Sequence, residues 1–313
     1  MYTTVLNSLD QGLITAFMAL GVLITFQLMG FPDMTVEGSY MLGGVVSATL
    51  LVAGHGPITA TAGGMAAGAL AGLCTGVMHT KLGINAIIAG LLTTSAAFTV
   101  ALVVMGRPNA SLLSVEGFYD YVPRVLHLPV GGWSRIATTA VLIGVVAAIL
   151  YWFLNTNLGI TIRAVGSNER MIRALSVDTD FIKILAMTIS NALVAIAGAL
   201  ATQAQGFADV NMGLGALVAA FASLVVGQTL LRSRKLAIWI LAVLVGAVLY
   251  RMLLNVALRT GLPPDYFKLL TAGLVLVALW GPSYLGSLRG RRQIVREEKK
   301  LNTRKPKPLQ EAQ

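Results

Sequence analysis

The sequence predicts an all-α polytopic membrane protein: about nine transmembrane helices in two inverted four-helix repeats, with one or two helices broken or re-entrant. Three observations carry this. Of 313 residues, 56% are hydrophobic and only 12% charged, with a mean hydropathy of +0.77. Soluble domains carry about 25% charged residues, so half that amount leaves too little polar surface to face water all round. Apolar runs of roughly the 20 residues needed to cross a bilayer recur along the chain. Finally, the segment Gly30-Phe31-Pro32-Asp33-Met34 returns as Gly206-Phe207-Ala208-Asp209-Val210, each copy followed by a short Gly-rich apolar run and then longer ones.

The candidate spans are 9–29, 38–54, 57–79, 83–105, 133–154, 183–204, 213–231, 236–256 and 267–286. Residues 1–10 lack a basic leader and no small-x-small cleavage site ends the first run, so it is expected to stay as a span. The second span is short and Gly-rich, which marks it as broken or re-entrant. Span three carries Ala60, Gly64, Gly68, Gly72 and Gly76 at a strict four-residue step. On a helix this makes one smooth stripe along which another backbone can approach closely; a lipid-facing helix rich in small residues would show the same pattern. Five spans separate the starts of the two motif copies, an odd number, so the halves enter the membrane in opposite directions. Such inverted repeats belong to transporters. The expected organisation is a permease domain over 1–288, with repeat one at 9–105, a linking span at 133–154, a loop at 155–182 and repeat two at 183–286.

Orientation follows from basic loops. The net charge of +10 is concentrated after the last span: nine Lys/Arg from Arg289 to Lys307 stand against Glu297, Glu298 and Glu311. A basic tail after a hydrophobic span marks a cytoplasmic end and argues against nucleic-acid binding. Arg232, Arg234 and Lys235 in one short connection, and Arg163, Arg170 and Arg173 in the 155–182 loop, fall on the same side by span parity. The amino terminus is then external, as is the 106–132 connection. The tail over 289–313 is too polar to pack a core and is expected to be disordered or to lie on anionic lipid.

Several chemistries are excluded. There is no G-x-x-x-x-G-K-[ST] phosphate loop and no G-x-S-x-G nucleophile. His55, His79 and His127 lack metal-ligand spacing, and Cys74 is the only cysteine, so no disulfide forms within one chain. No cofactor or metal is expected in this chain, nor catalysis.

The 155–182 loop is the most informative segment. Ser167 or Asn168 can cap a short helix on which Met171, Ile172 and Leu175 fall at one-turn spacing. A helix so short does not stand alone in water. It lies either in a partner's groove or on the protein's own spans. This loop resembles the cytoplasmic coupling loop of ATP-binding-cassette importer permeases of the branched-chain amino acid, ribose and related-solute family. Gly159, Arg163, Ala164, Gly166 and Asn168 match its G-x-x-x-R-A-x-G-x-N segment, and the Phe31-Pro32-Asp33-Met34-Thr35-Val36-Glu37-Gly38 stretch matches ahead of the second span. Ser176 stands where that family usually has glycine.

The resemblance implies a multi-pass subunit of the bacterial inner membrane. Its partners would be a second permease copy, cytoplasmic ATPase subunits that carry the ATP, and an external solute-binding protein. Arg163, Gly166, Asn168, Glu169, Met171, Ile172 and Leu175 would form the coupling surface for the ATPase. In related permeases span four borders the central cavity, which makes Asn85, Thr93 and Thr94 candidates for the translocation path, with Asn191 on span six. Each of these either touches solute or satisfies a neighbouring helix. Asp33, Glu37 and Asp209 mark the repeat breaks, where exposed helix-start N–H groups favour a carboxylate. Arg251, deep in span eight, either snorkels outward or pairs with Asp209. An amino acid is the favoured solute, a sugar or nucleoside the alternative, and an ATP-independent secondary transporter the competing class.

Overall fold

The computed structural model describes residues 2–125, 131–231, 233, 235–259, 269 and 271–273. Helix α1, Tyr2–Val22, runs on through a π-helical turn at Leu23–Leu28. Next come α2 (Val36–Val52), α3 (Pro57–Thr80) and α4 (Ala86–Met105), then α5 (Phe118–Val125) and α6 (Gly132–Leu154). Helices α7 (Asn157–Ala174), α8 (Thr179–Gln205), α9 (Ala216–Leu230) and α10 (Leu236–Arg259) complete the bundle. Among the described residues, eight of the nine expected spans carry a helix. The ninth expected span and the basic tail fall almost wholly outside the described residues.

Burial sorts the helices into two kinds. Phe17, Leu20 and Leu23 of the first helix and Ala195, Ala197 and Ala199 of α8 are all fully enclosed. A helix apolar on every side is one buried on every side. By contrast α3, α4, α6 and α10 keep one enclosed face and one bearing exposed Leu, Ile and Val, as lipid-facing helices do. The two buried helices exchange partners: α1 packs against α8, α9 and α10, whereas α8 packs against α1, α2 and α3.

The small-residue stripe of α3 forms the seam with α8. Ala60, Gly64, Gly68, Gly72 and Gly76 are all buried. A Cβ at Gly68 would overlap the Ala195 side chain and the Asn191 carbonyl, and one at Gly72 would strike the Met187 carbonyl. Backbone-to-backbone approach of this kind maximises dispersion contact where apolar burial against lipid supplies little drive.

Two helices are too short to cross a bilayer. The 17 residues of α2 and the 15 of α9 span about 25 and 22 Å at 1.5 Å per residue, against a hydrocarbon core of about 30 Å. Their N-termini meet. Glu37 Oε1 in the first turn of α2 accepts from the Gly215 N–H that begins α9, at 2.9 Å, and Gly213 lies against the Glu37 carbonyl with no room for a Cβ.

The connections add what the apolar pattern does not show. Gly106 and Gly206 end α4 and α8 in the left-handed region, at φ 67° and 77°. Each releases a short extended strand, β1 (Asn109–Ser111) and β2 (Phe207–Asp209), and the two pair antiparallel with Ala110 opposite Ala208. The all-α architecture holds, with this two-stranded ribbon as a local addition. Two chain ends emerging side by side satisfy each other's backbone groups. This pair defines the ribbon end of the bundle; the opposite end carries α7.

Candidate functional site

Three arrangements of polar side chains stand out from the apolar bundle. The first is a buried chain at the start of α2. Asp33 Oδ1 accepts from the Thr35 N–H at 2.8 Å and Oδ2 accepts from Asn191 Nδ2 at 2.8 Å. Asn191 in turn accepts at Oδ1 from the Ser39 hydroxyl (2.7 Å) and donates to the Met187 carbonyl (3.0 Å). A second branch runs from the Thr35 hydroxyl to Thr75 and on to Thr93, each step 2.7 Å. Asp33, Thr35, Ser39, Thr75 and Asn191 are fully buried. A polar group enclosed this way persists only when its partners are in place, and here the partners tie α2, α3, α4 and α8 together.

The second arrangement is a cavity of about 310 Å³ toward the ribbon end, between α1, α2, α6, α8 and α10. Asp10 and Arg135 pair across it at 2.7 Å. Asp10 also accepts from the Thr139 hydroxyl at 3.3 Å, while Arg135 donates to the Ala204 carbonyl at 2.9 Å and lies 4.5 Å from the centre of the Tyr119 ring. Arg251 enters from α10 and donates Nε–H to the Thr15 hydroxyl at 2.9 Å. The Arg251–Asp209 pairing is thus corrected: α10 aims Arg251 at α1, while Asp209 accepts from its own Asn211 N–H at 2.6 Å and from Asn109 at 3.4 Å.

The third lies at the opposite end. Helix α7 is two helices joined at Asn168, whose φ of −156° and ψ of 88° leave the helical region. The Asn168 side chain accepts from the Met171 N–H at 3.1 Å and so starts the second piece. Before the joint, Gly166 presses on the Leu28 carbonyl, where any Cβ would collide. Beyond it, Glu169 Oε1 receives Lys183 Nζ at 2.8 Å and Arg173 Nη2 at 3.0 Å; Arg173 also reaches Thr179 (2.8 Å) and Asp180 (3.1 Å). The Lys183 ammonium holds the Glu169 carboxyl below its usual range. Asp178 caps the start of α8, and the backbone N–H groups of Phe181 and Asp180 that it accepts from hold the Asp178 carboxyl below its own usual range. The segment closes at Ser176, which takes φ 62°, the one positive φ at a non-glycine among the described residues.

The apolar side chains of this second piece divide. Ile172 is buried against the protein's own core, whereas Met171 and Leu175 are 56% and 66% exposed, one turn apart on the same face. Arg163 lines a smaller cavity with Gln27, Leu28, Ser167 and Trp239.

The path candidates lie apart from these cavities. Thr93 and Asn191 belong to the buried chain, and Thr94 donates to the Met34 carbonyl at 3.0 Å. Asn85 is the N-cap of α4, accepting from the Ile87 N–H at 3.0 Å. Asp33 and Asp209 each close a turn on the N–H two residues on. Glu37 accepts from a helix-start N–H, that of α9 at the other break. Sequence reasoning missed the ribbon-end cavity: Asp10 and Arg135 lie more than a hundred residues apart, and nothing local to either marks them as partners.

Buried polar chains, broken helices meeting head to head and glycine-faced seams define a polytopic helical protein of the transport class. Residues 4–279 match the family model described as branched-chain amino acid transport system / permease component, and the chain belongs to that family. It is 35% identical to a tyrosine transport system permease protein of Clostridioides difficile, over 88% of this chain and 90% of that protein. It is 27% identical to the ribose import permease protein of Escherichia coli (87% and 83% covered) and 27% identical to the galactofuranose transporter permease protein of the same species (89% and 79% covered). It is accordingly a multi-pass permease component of an ATP-binding-cassette transporter.

Proposed function

We propose that this chain forms the translocation path of an ATP-driven importer for a small solute, an amino acid in the first instance, and is worked from the cytoplasm by ATPase subunits that grip the Asn168–Leu175 segment. The observation that carries this reading is the division of that segment. Its Ile172 and Glu169 side is locked to the bundle by burial and the Lys183–Arg173 cluster, with Gly166 packed closely just before it, while Met171 and Leu175 face outward. An element clamped on one side and apolar on the other can transmit a push into α8, the helix at the bundle's centre.

Further support comes from the short helices. Two helices too short to cross the bilayer with facing N-termini, and buried helices that exchange partners between the halves, fit inverted repeats around a break within the membrane. In this arrangement the α7 end is cytoplasmic, the ribbon end and amino terminus are external, and a second permease copy completes the channel. An external binding protein delivers the solute at the ribbon end. Closure of the ATPases moves the coupling segment, rocks the halves, and opens the path to alternate sides. The tyrosine permease among the relatives favours an amino acid; the ribose and galactofuranose permeases keep a sugar as the second reading.

The test is uptake into vesicles holding the permease with its ATPase and binding protein. Replacing Leu175 by Glu should uncouple ATP hydrolysis from uptake while leaving the permease inserted and folded. Unchanged stimulation of the ATPase by this variant would refute the docking. Uptake that continues without ATPase subunits would replace the reading by secondary transport.

A further inference from the structure

Among the described residues, the lining of the ribbon-end cavity carries two arginines and one aspartate. Asp10 is committed to Arg135 at 2.7 Å and to Thr139. Arg251 spends only its Nε–H, on Thr15. Its two terminal nitrogens make no hydrogen bond or ion pair among the described residues, yet the side chain is half-buried and lines the cavity. A half-buried guanidinium whose planar fork has no acceptor among those residues is set for a two-pronged one. The rest of the lining is suited to hold a polar solute without repelling it: Asn7, Gln11, Tyr40 and Gln205 offer amide and hydroxyl groups, and Ile14 and Ala201 an apolar floor.

We propose that this cavity is a binding site for a small carboxylate-bearing solute, with Arg251 gripping the carboxylate and the Tyr40 hydroxyl beside it. The net positive charge of the described lining suits a monocarboxylate, and about 310 Å³ gives room for one of amino-acid size within a single protomer. The apolar floor and the neutral amides take the remainder of the molecule. As a station on an import path the site rests on the reading above; as a binding site it needs no ATPase and can be tested without one.

The whole permease is placed in nanodiscs of phosphatidylcholine, and its thermal midpoint is followed with L-leucine, L-tyrosine and propionate, each beside its amide. Inorganic phosphate, D-ribose and added phosphatidylglycerol are run in parallel. The acids should raise the midpoint and the amides should not. Arg251→Lys keeps the charge but loses the fork, and should raise the half-saturating concentration about tenfold; Arg251→Gln should abolish the response. Tyr40→Phe, which preserves shape, should weaken it several-fold, and with Arg251→Lys carries the comparison if Arg251→Gln does not fold. Leu175→Glu should bind as the parent does, so a failed importer reading leaves this result standing. The proposal is overturned if acids and amides act alike, if Arg251→Gln responds fully, or if no acid raises the midpoint. It is also overturned if phosphate, ribose or phosphatidylglycerol alone reproduces the effect.

Discussion

Asp33 and Asp209 occupy the same place in two copies of one short motif, and their nearest bond is the same. Each carboxylate accepts from the backbone N–H two residues on, at 2.8 and 2.6 Å. Their second oxygens differ. That of Asp33 takes Asn191 from a different helix inside a fully buried chain, while that of Asp209 takes only a long bond from Asn109 at the half-exposed ribbon. Local sequence builds the turn twice, and the surroundings make one copy a keystone of four helices and the other a surface turn.

This comparison breaks most readily at Asp33. Asp33→Ala leaves the Thr35 N–H and Asn191 Nδ2 without that acceptor in a dry interior, at about 1–3 kcal/mol for each orphaned group. The expected result is a collapse in the yield of monodisperse protein and a large drop in its thermal midpoint. Glu37→Ala should come next. It strips the Gly215 N–H that joins α9 to α2, costing about 1–2 kcal/mol, and Glu37→Gln should recover most of the loss because an amide oxygen still accepts. Asp209→Ala removes only a turn and should cost about 0.5–1 kcal/mol by the same thermal assay. Equal losses at Asp33 and Asp209 would mean that burial adds nothing to the turn.

Smaller effects sharpen the same point. Ser176→Gly relieves a positive φ that a side chain resists and should stabilise by about 0.5–1 kcal/mol, showing what a turn alone is worth. The Glu169 cluster should show no change between pH 6 and 8 by hydrogen exchange. Because its folded pKa is depressed, its contribution is fully present above the ordinary value of 4.5 and is lost only as the pH falls through the lower folded value.

Much of this was legible in the sequence where the determinant is local or periodic. Eight spans follow apolar run length, the α3 stripe follows its four-residue step, and the Asn168 cap follows capping chemistry. Ser176 in a glycine's place sits at the positive φ that glycine would have met at no cost. Ile172 was not separable from Met171 and Leu175, since all three are apolar at one-turn spacing and only the packing of α7 on the bundle decides which is covered. Arg251 was recognised as costly, with outward snorkelling and a pair with Asp209 left as alternatives; Thr15 is the group that helix packing supplies.

By itself, then, the amino-acid order determined that the chain lives in a bilayer, which stretches form its apolar helices, and which turns its aspartates close, because those depend on neighbours within about one helical turn. Only the tertiary structure decided that α1 and α8 exchange partners, that Glu37 caps another helix, and that Asp10, Arg135 and Arg251 share one cavity. Those outcomes are fixed by which backbones can approach closely enough to satisfy each other's polar groups, a condition set by residues far apart along the chain.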